Sequence, residues 1–264
     1  MSRPPSMSKF LYCACFLALI QLSSYSFARD VPPNGEYEEL YDKTWAQGID
    51  DRLVLQAPRD AISVVDSPEF HEPTLKISIR RDDNFQGVAN GTPRGEIAFA
   101  RIFHFVPGVL YEVNWSMALP RNYQIDSLQP ELFSQILQGP KGGLGPPPFS
   151  IRFVDGRYQV EIRNAANVVP RVFIFGDAFA EKGKIVHWTL RYRADHSGVN
   201  AITDLFMNGA SVVHCEGCGN AYAGDPDAYF KIGIYKWWWQ SRHSDVNERT
   251  IYFGNVEVKR FFSR

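Results

Sequence analysis

The chain has 264 residues, with 28 Lys and Arg against 29 Asp and Glu for a formal net charge of −1, and 45% of its residues are apolar. This length holds one large domain or two small ones. The lack of a basic excess argues against nucleic acid as the partner, while leaving room for a local basic groove that takes a polyanion.

The first residues read as a targeting segment. Arg3 and Lys9 make a positive start, Phe10 to Ile20 an apolar run too short to span a bilayer comfortably, and Ser26-Phe27-Ala28 a small-x-small cleavage site. We therefore expect a signal peptide over 1–28 and one domain over 29–264, secreted to an extracellular or periplasmic space. No later stretch is apolar for long enough to anchor in a membrane. Loss of Arg3 and Lys9, with no acidic residue beside them, leaves 26 basic against 29 acidic side chains.

Strand signals dominate after Val54. In chain order they cover 75–79, 96–105, 111–117, 132–137, 149–154, 158–163, 186–193, 203–207, 229–239 and 250–258, many rich in Ile, Val, Phe, Tyr and Trp and separated by turn residues. Asp155-Gly156 and Asn208-Gly209 are two-residue hairpin signals. No segment has a sustained helical period, and no repeat or low-complexity linker divides the chain. The pattern predicts an all-β protein, a single antiparallel β-sandwich. Its longest irregular pieces, 138–148 with three consecutive prolines and 215–227, flank strands and are candidate walls or surface connections.

Only Cys215 and Cys218 follow the leader, and in an oxidising compartment a local disulfide is the favoured reading. A zinc site using His214 lacks a second cysteine pair, and a redox-active pair lacks its usual βαβ setting. No metal and no cofactor is expected. Asn90-Gly91-Thr92 and Asn114-Trp115-Ser116 match the glycosylation pattern, which matters only in a eukaryote.

The most informative segment is Tyr229 to Trp239. On a strand, Phe230, Ile232 and Ile234 share one face, while Tyr229, Lys231, Tyr235, Trp237 and Trp239 share the other. Phenols, an ammonium and indoles would each need a polar partner if buried, so that second face suits a groove holding a sugar chain. Trp238 falls on the core side. The same parity, run from Arg94, places Arg94, Glu96, Ala98, Ala100, Ile102 and His104 together, with Ile97, Phe99, Phe103 and Phe105 opposite.

Three segments in order, Arg94-Gly95-Glu96-Ile97, Gln135-Ile136-Leu137 and Tyr229-Phe230-Lys231-Ile232-Gly233-Ile234-Tyr235, resemble the uronic-acid polysaccharide lyases of β-jelly-roll fold. That set includes alginate lyases, glucuronan lyase and heparin lyase I, and the likeness extends over roughly 94–258. Pro146-Pro147-Pro148, Trp188 and Asn208-Gly209 look most similar to the heparin lyase I and glucuronan lyase branch. The resemblance implies a concanavalin-like jelly roll with a concave groove that binds an anionic polysaccharide substrate, and a monomer is expected. It implies β-elimination at a uronate, which leaves a C4–C5 unsaturated end.

That chemistry needs three roles: offsetting charge on the carboxylate, taking the C5 proton, and protonating the C4 oxygen. The expected catalytic set is Gln135 and Arg94 on the carboxylate and Tyr235 as proton donor. Tyr235 also serves as base if a cation such as Lys231 or Arg94 assists, since a free phenol titrates at about 10. Glu96, Tyr229, Lys231, Trp237 and Trp239 are the expected substrate-binding residues. Leu137 stands where many relatives carry His, and His104 is the candidate substitute. A non-catalytic, lectin-like sandwich is the alternative that Leu137 favours. A sandwich glycoside hydrolase would need paired carboxylates across the scissile bond, and no Glu-x-Asp-x-x-Glu arrangement is present.

Overall fold

The computed structural model describes residues 36–262; the expected leader at 1–28 lies outside them. Fifteen strands follow one another: β1 (Tyr37–Lys43), β2 (Val54–Gln56), β3 (Ile62–Asp66), β4 (Pro73–Arg80), β5 (Arg94–Ala98), β6 (Leu110–Ala118), β7 (Glu131–Leu137), β8 (Phe149–Val154), β9 (Arg157–Ile162), β10 (Arg171–Phe175), β11 (Ile185–Arg193), β12 (Ile202–Met207), β13 (Ala210–His214), β14 (Tyr229–Tyr235) and β15 (Glu248–Phe261). Two short 3₁₀ turns, Trp45–Gln47 and Pro140–Gly142, are the only helical pieces among the described residues.

All pairings are antiparallel and build two sheets. One runs β13-β12-β11-β6-β15-β4-β3, with β1 also paired to β15; the other runs β10-β9-β8-β7-β14-β5-β2. The long β15 accommodates two neighbours on one edge, β4 along Glu248–Phe253 and β1 along Val256–Phe261. Alternation supplies the interior. Tyr111, Val113, Trp115 and Met117 of β6 face Phe230, Ile232 and Ile234 of β14 across the sandwich, all of them buried. Phe230 sits edge-on to Trp115 at 5.3 Å, and Trp115 stacks with Trp188 at 6.1 Å. Each such side chain contributes about 1.5–3 kcal/mol through burial.

Both expected hairpins are present. Asp155 and Gly156 have φ of 48° and 74°, Asn208 and Gly209 of 50° and 79°. Two successive positive-φ residues match the right-handed twist of the strands they join. The expected disulfide is also formed between Cys215 and Cys218, whose Cα atoms are 5.7 Å apart.

The strand boundaries correct two expectations. β5 stops at Ala98 instead of reaching Phe105, because the amides of Ile102 and Phe103 both turn back to the Phe99 carbonyl. β14 stops at Tyr235, and the chain then winds through a turn in which the Trp239 amide donates to Lys236 and the Arg242 amide to Trp238. Parity therefore fails beyond Tyr235. Trp239 is fully buried and its indole donates to the Val246 carbonyl at 2.9 Å, so it is a core residue and not a groove residue. Trp238, expected in the core, is 37% exposed and lies under the Arg242 guanidinium at 3.6 Å. β1, β2, β3, β10 and β13 were not anticipated; several are short or carry exposed residues at positions that would otherwise mark a core face.

Candidate active site

The outer face of the β10-to-β2 sheet forms a groove of about 1000 Å³. Cross-strand register arranges its floor in rows. Arg94 pairs with Tyr235, Tyr235 with Leu132, and Leu132 with Arg152. Past the Gly233–Glu96 pair comes the row of Ala98, Lys231, Gln135, Ser150 and Glu161, in which Lys231 and Ser150 are buried beneath the groove surface. A third holds Tyr229 beside Leu137.

A ladder of rings and cations crosses the first row. The Arg94 guanidinium lies 4.1 Å from the centre of the Tyr235 ring, Tyr235 is 5.4 Å from Trp237, and Arg152 approaches Trp237 at 5.6 Å. Tyr235 and Trp237 are half-buried and line the groove. Thr92 reaches the Tyr235 hydroxyl at 3.4 Å. The turn that ends β14 is held from below by Lys236, fully buried and bonded to Asp126 at 2.7 Å.

Beneath the floor, Glu96 gathers three expected site residues. It accepts from Lys231 at 2.5 Å, Gln135 at 2.5 Å and Arg94 at 3.2 Å. Glu96 is 1% exposed and Lys231 fully buried, and neither lines the groove. Their expected contact with substrate is thereby corrected: they support the floor. Burial pulls the Lys231 ammonium below its ordinary value, with Glu96 opposing and Arg94 adding to that fall. The fork of Arg94 is also largely occupied, since Nη2 donates to Asn90 at 2.6 Å and to Thr92 at 2.5 Å. Its expected bidentate grip on a carboxylate gives way to a charge fixed against the Tyr235 ring. Asn90 is thus part of the site, and Asn114, the other sequon residue, bonds Glu257 and Thr189 on the opposite sheet.

Gly233 makes this packing possible. Its φ is +146°, and a Cβ there would stand 2.2 Å from the Gly95 carbonyl oxygen and 2.6 Å from the Glu96 Cα. Any side chain would push β14 off β5 and separate Lys231 from Glu96.

Tyr229 and His104 line the groove at its other end. Burial chiefly raises the Tyr229 phenol above its ordinary value, with the Glu96 charge adding to it. His104 is not on β5 as expected; it follows the 99–103 turn, next to Phe105, whose amide bonds the Ala228 carbonyl. Along β14 the span from Tyr229 to Tyr235 is about 20 Å at about 3.3 Å per residue. His104 therefore shares the end of Leu137, and not that of Tyr235.

The Pro-Gly segment 138–148 forms a wall. Gly139 donates to Asp225, the Tyr222 hydroxyl to the Pro146 carbonyl, and Gln138 to Gly145, so this wall is tied to the 215–227 loop behind it. Three groove residues escaped sequence reasoning: Arg152, Glu161 and Arg163, in which both arginines contact the one carboxylate. Among the described residues no cluster of three or more His, Cys, Asp or Glu could hold a metal ion, and no helix is long and apolar enough to cross a membrane.

Comparison with known proteins places the chain. No curated protein matches its sequence. Solved structures match its fold: an endo-β-1,4-glucuronan lyase from the fungus Trichoderma reesei (14% identity, TM-score 0.58, 84% of this chain and 94% of that one), alginate lyase A1-II′ (14%, 0.56, 80% and 95%) and an alginate lyase from Pseudomonas aeruginosa (13%, 0.54, 77% and 87%). These likenesses establish the jelly-roll sandwich. A family model described as polysaccharide lyase matches residues 40–257, most of the chain and all of the groove. This chain belongs to the polysaccharide lyase family.

Proposed function

We propose that this lyase is secreted and cleaves a uronate-containing polysaccharide by β-elimination, with Tyr235 at the reacting centre. The observation that carries the reading is the Tyr235 phenol, half-buried in the groove with the Arg94 guanidinium 4.1 Å from its ring. The uronate carboxylate is held by the Gln135 amide, whose second N–H remains for it once the first is given to Glu96. With the Arg94 cation beside it, Tyr235 acts as the phenolate and takes the C5 proton; the C5 electrons form the C4–C5 double bond; the C4–O bond breaks, and the leaving oxygen takes that proton from the Tyr235 hydroxyl, which returns to phenolate. Arg94 supplies positive charge beside this transfer, in a site whose charges are already fixed by Glu96. With Leu137 offering no imidazole and His104 at the other end, both transfers fall to one phenol, and His104 binds a neighbouring sugar.

Alginate, glucuronan and heparin in separate incubations, followed by ultraviolet absorbance of the unsaturated end, test this reading. One polymer is expected to give the signal. Retention of a polymer without any absorbance change would reject elimination and leave a sugar-binding groove. Release of reducing ends without absorbance would mean hydrolysis.

A further inference from the structure

Across the groove from Arg94, β8 and β9 carry a second charged cluster. Glu161 bonds Arg152 at 2.6 Å and also the Arg163 guanidinium, while Gln159 donates to the other Glu161 oxygen at 3.0 Å. Arg152 additionally donates to Ser150 at 3.0 Å. One carboxylate thus serves two guanidinium groups, leaving one positive charge uncompensated. The Arg152 and Arg163 side chains are only 13% and 9% exposed. Their Nε atoms are buried without a partner, and neither Nη1 makes a hydrogen bond among the described residues. Both arginines line the groove.

Two cations this poorly hydrated, with donor capacity left over, form a receptor for an anion and gain little as a purely internal ion pair. We infer that Arg152 and Arg163 form a second acid-group subsite, which binds the carboxylate or sulfate of a sugar removed from the one being cleaved. This rests on the elimination reading only for the identity of the reacting sugar. The placement follows from the sheet: Tyr235, Leu132 and Arg152 are successive cross-strand neighbours, so the Arg152 backbone lies about 10 Å from that of Tyr235 at about 4.8 Å per strand. That exceeds one pyranose ring, and the two centres address different sugars of one chain. Trp237, in contact with both Tyr235 and Arg152, forms the intervening floor. The subsite therefore selects polymers acidic at more than one position and gives longer chains an advantage over short ones.

The test uses Arg163→Gln and Arg152→Gln, with Arg163→Lys as a variant that keeps the charge, on alginate, glucuronan and heparin. On the polymer that wild type cleaves, each Gln variant should raise KM by about 10-fold with kcat within about 2-fold, the pattern of lost uniform binding. The effect should vanish on a disaccharide, which is too short to span both centres. Arg163→Lys should fall between wild type and Arg163→Gln, and weakened retention should show as a shallower salt dependence. Unchanged KM on polymer in a folded variant overturns the subsite. So does an equal loss on disaccharide and polymer, which marks a structural role. If wild type produces no unsaturated ends, retardation in gels containing each polymer reads the subsite independently: equal retardation of wild type and both Gln variants rejects it, while reduced retardation retains it as elimination falls.

Discussion

Replacing Glu96 by Gln keeps the shape of the side chain and removes the one carboxylate that Lys231, Gln135 and Arg94 share. Lys231 is fully buried and Arg94 5% exposed, so neither charge can turn to solvent. Breaking a buried pair by removing one partner costs about 3–5 kcal/mol, because the remaining charge stays desolvated. For a domain of this size that corresponds to a melting point lower by about 6–20 °C. The pH dependence identifies the cause. Burial already lowers the Lys231 ammonium, and without Glu96 it falls further below its unfolded value. A lysine depressed in the folded state binds fewer protons there than in the unfolded chain, so folding is penalised at low pH and the penalty shrinks as pH rises from the folded towards the unfolded value. Thermal melts from pH 6 to pH 10 should show the gap between wild type and Glu96→Gln narrowing with pH. A gap under about 2 °C, or one that is flat across this range, would show that Glu96 does not hold these charges. Turnover should fall with stability, since Gln135 and Arg94 both lose their anchor.

Tyr235→Phe removes the hydroxyl and keeps the ring against Arg94 and Trp237, so polymer binding should persist while turnover drops by at least about 10²-fold; near-normal elimination would remove Tyr235 from the mechanism. Trp239→Ala should cost about 3–5 kcal/mol as a fully buried indole, whereas Trp238→Ala should cost under about 1 kcal/mol, and melts of the two variants decide the order. Asp126 is raised by burial but lowered more by its bonds to Lys236 and Ser244, reaching about 2. A depressed carboxylate stabilises the fold fully above its unfolded value near 4 and loses that contribution as pH falls to about 2. Acid unfolding of Asp126→Asn should therefore be flatter than wild type in this window, by about 2 kcal/mol.

The sandwich was legible because its central strands alternate without interruption: Phe230, Ile232 and Ile234 against Lys231 and Tyr235 leave one register open. Arg94, Gln135, Tyr229 and Tyr235 all reach the groove for that reason. Alternation says which face a residue takes, and nothing about depth, so Glu96 and Lys231 were placed on the right face but a layer too high. Trp239 was misplaced by extending the strand through Lys236, where burial of the ammonium against Asp126 redirects the chain. No local signal marks that turn, since its cause lies over a hundred residues away. Arg152, Glu161 and Arg163 were within reach. The Asp155-Gly156 hairpin fixes Arg152 opposite Gln159 and Ser150 opposite Glu161, which brings all the charges to one face.

That hairpin also explains how a chain with a net charge of −1 offers a site for an acidic polymer. Each end of the floor repeats one arrangement, a single buried carboxylate shared by two cations: Glu96 with Arg94 and Lys231, Glu161 with Arg152 and Arg163. The carboxylates stop the cations from repelling each other and fix their geometry, and each cluster retains one positive charge. The two shared carboxylates, Glu96 on β5 and Glu161 on β9, stand four strand spacings apart, about 19 Å at about 4.8 Å per strand, so each neutralises only its own cations. The clusters act as two independent anchors and not as one broad field. Attraction that depends on two contacts at a fixed spacing rewards a polymer carrying acid groups at that spacing over a small anion, whatever its charge. It also follows that Asp227, the remaining carboxylate on the groove lining, weakens neither anchor directly, since it stands on the wall beside Gly139 and outside both clusters.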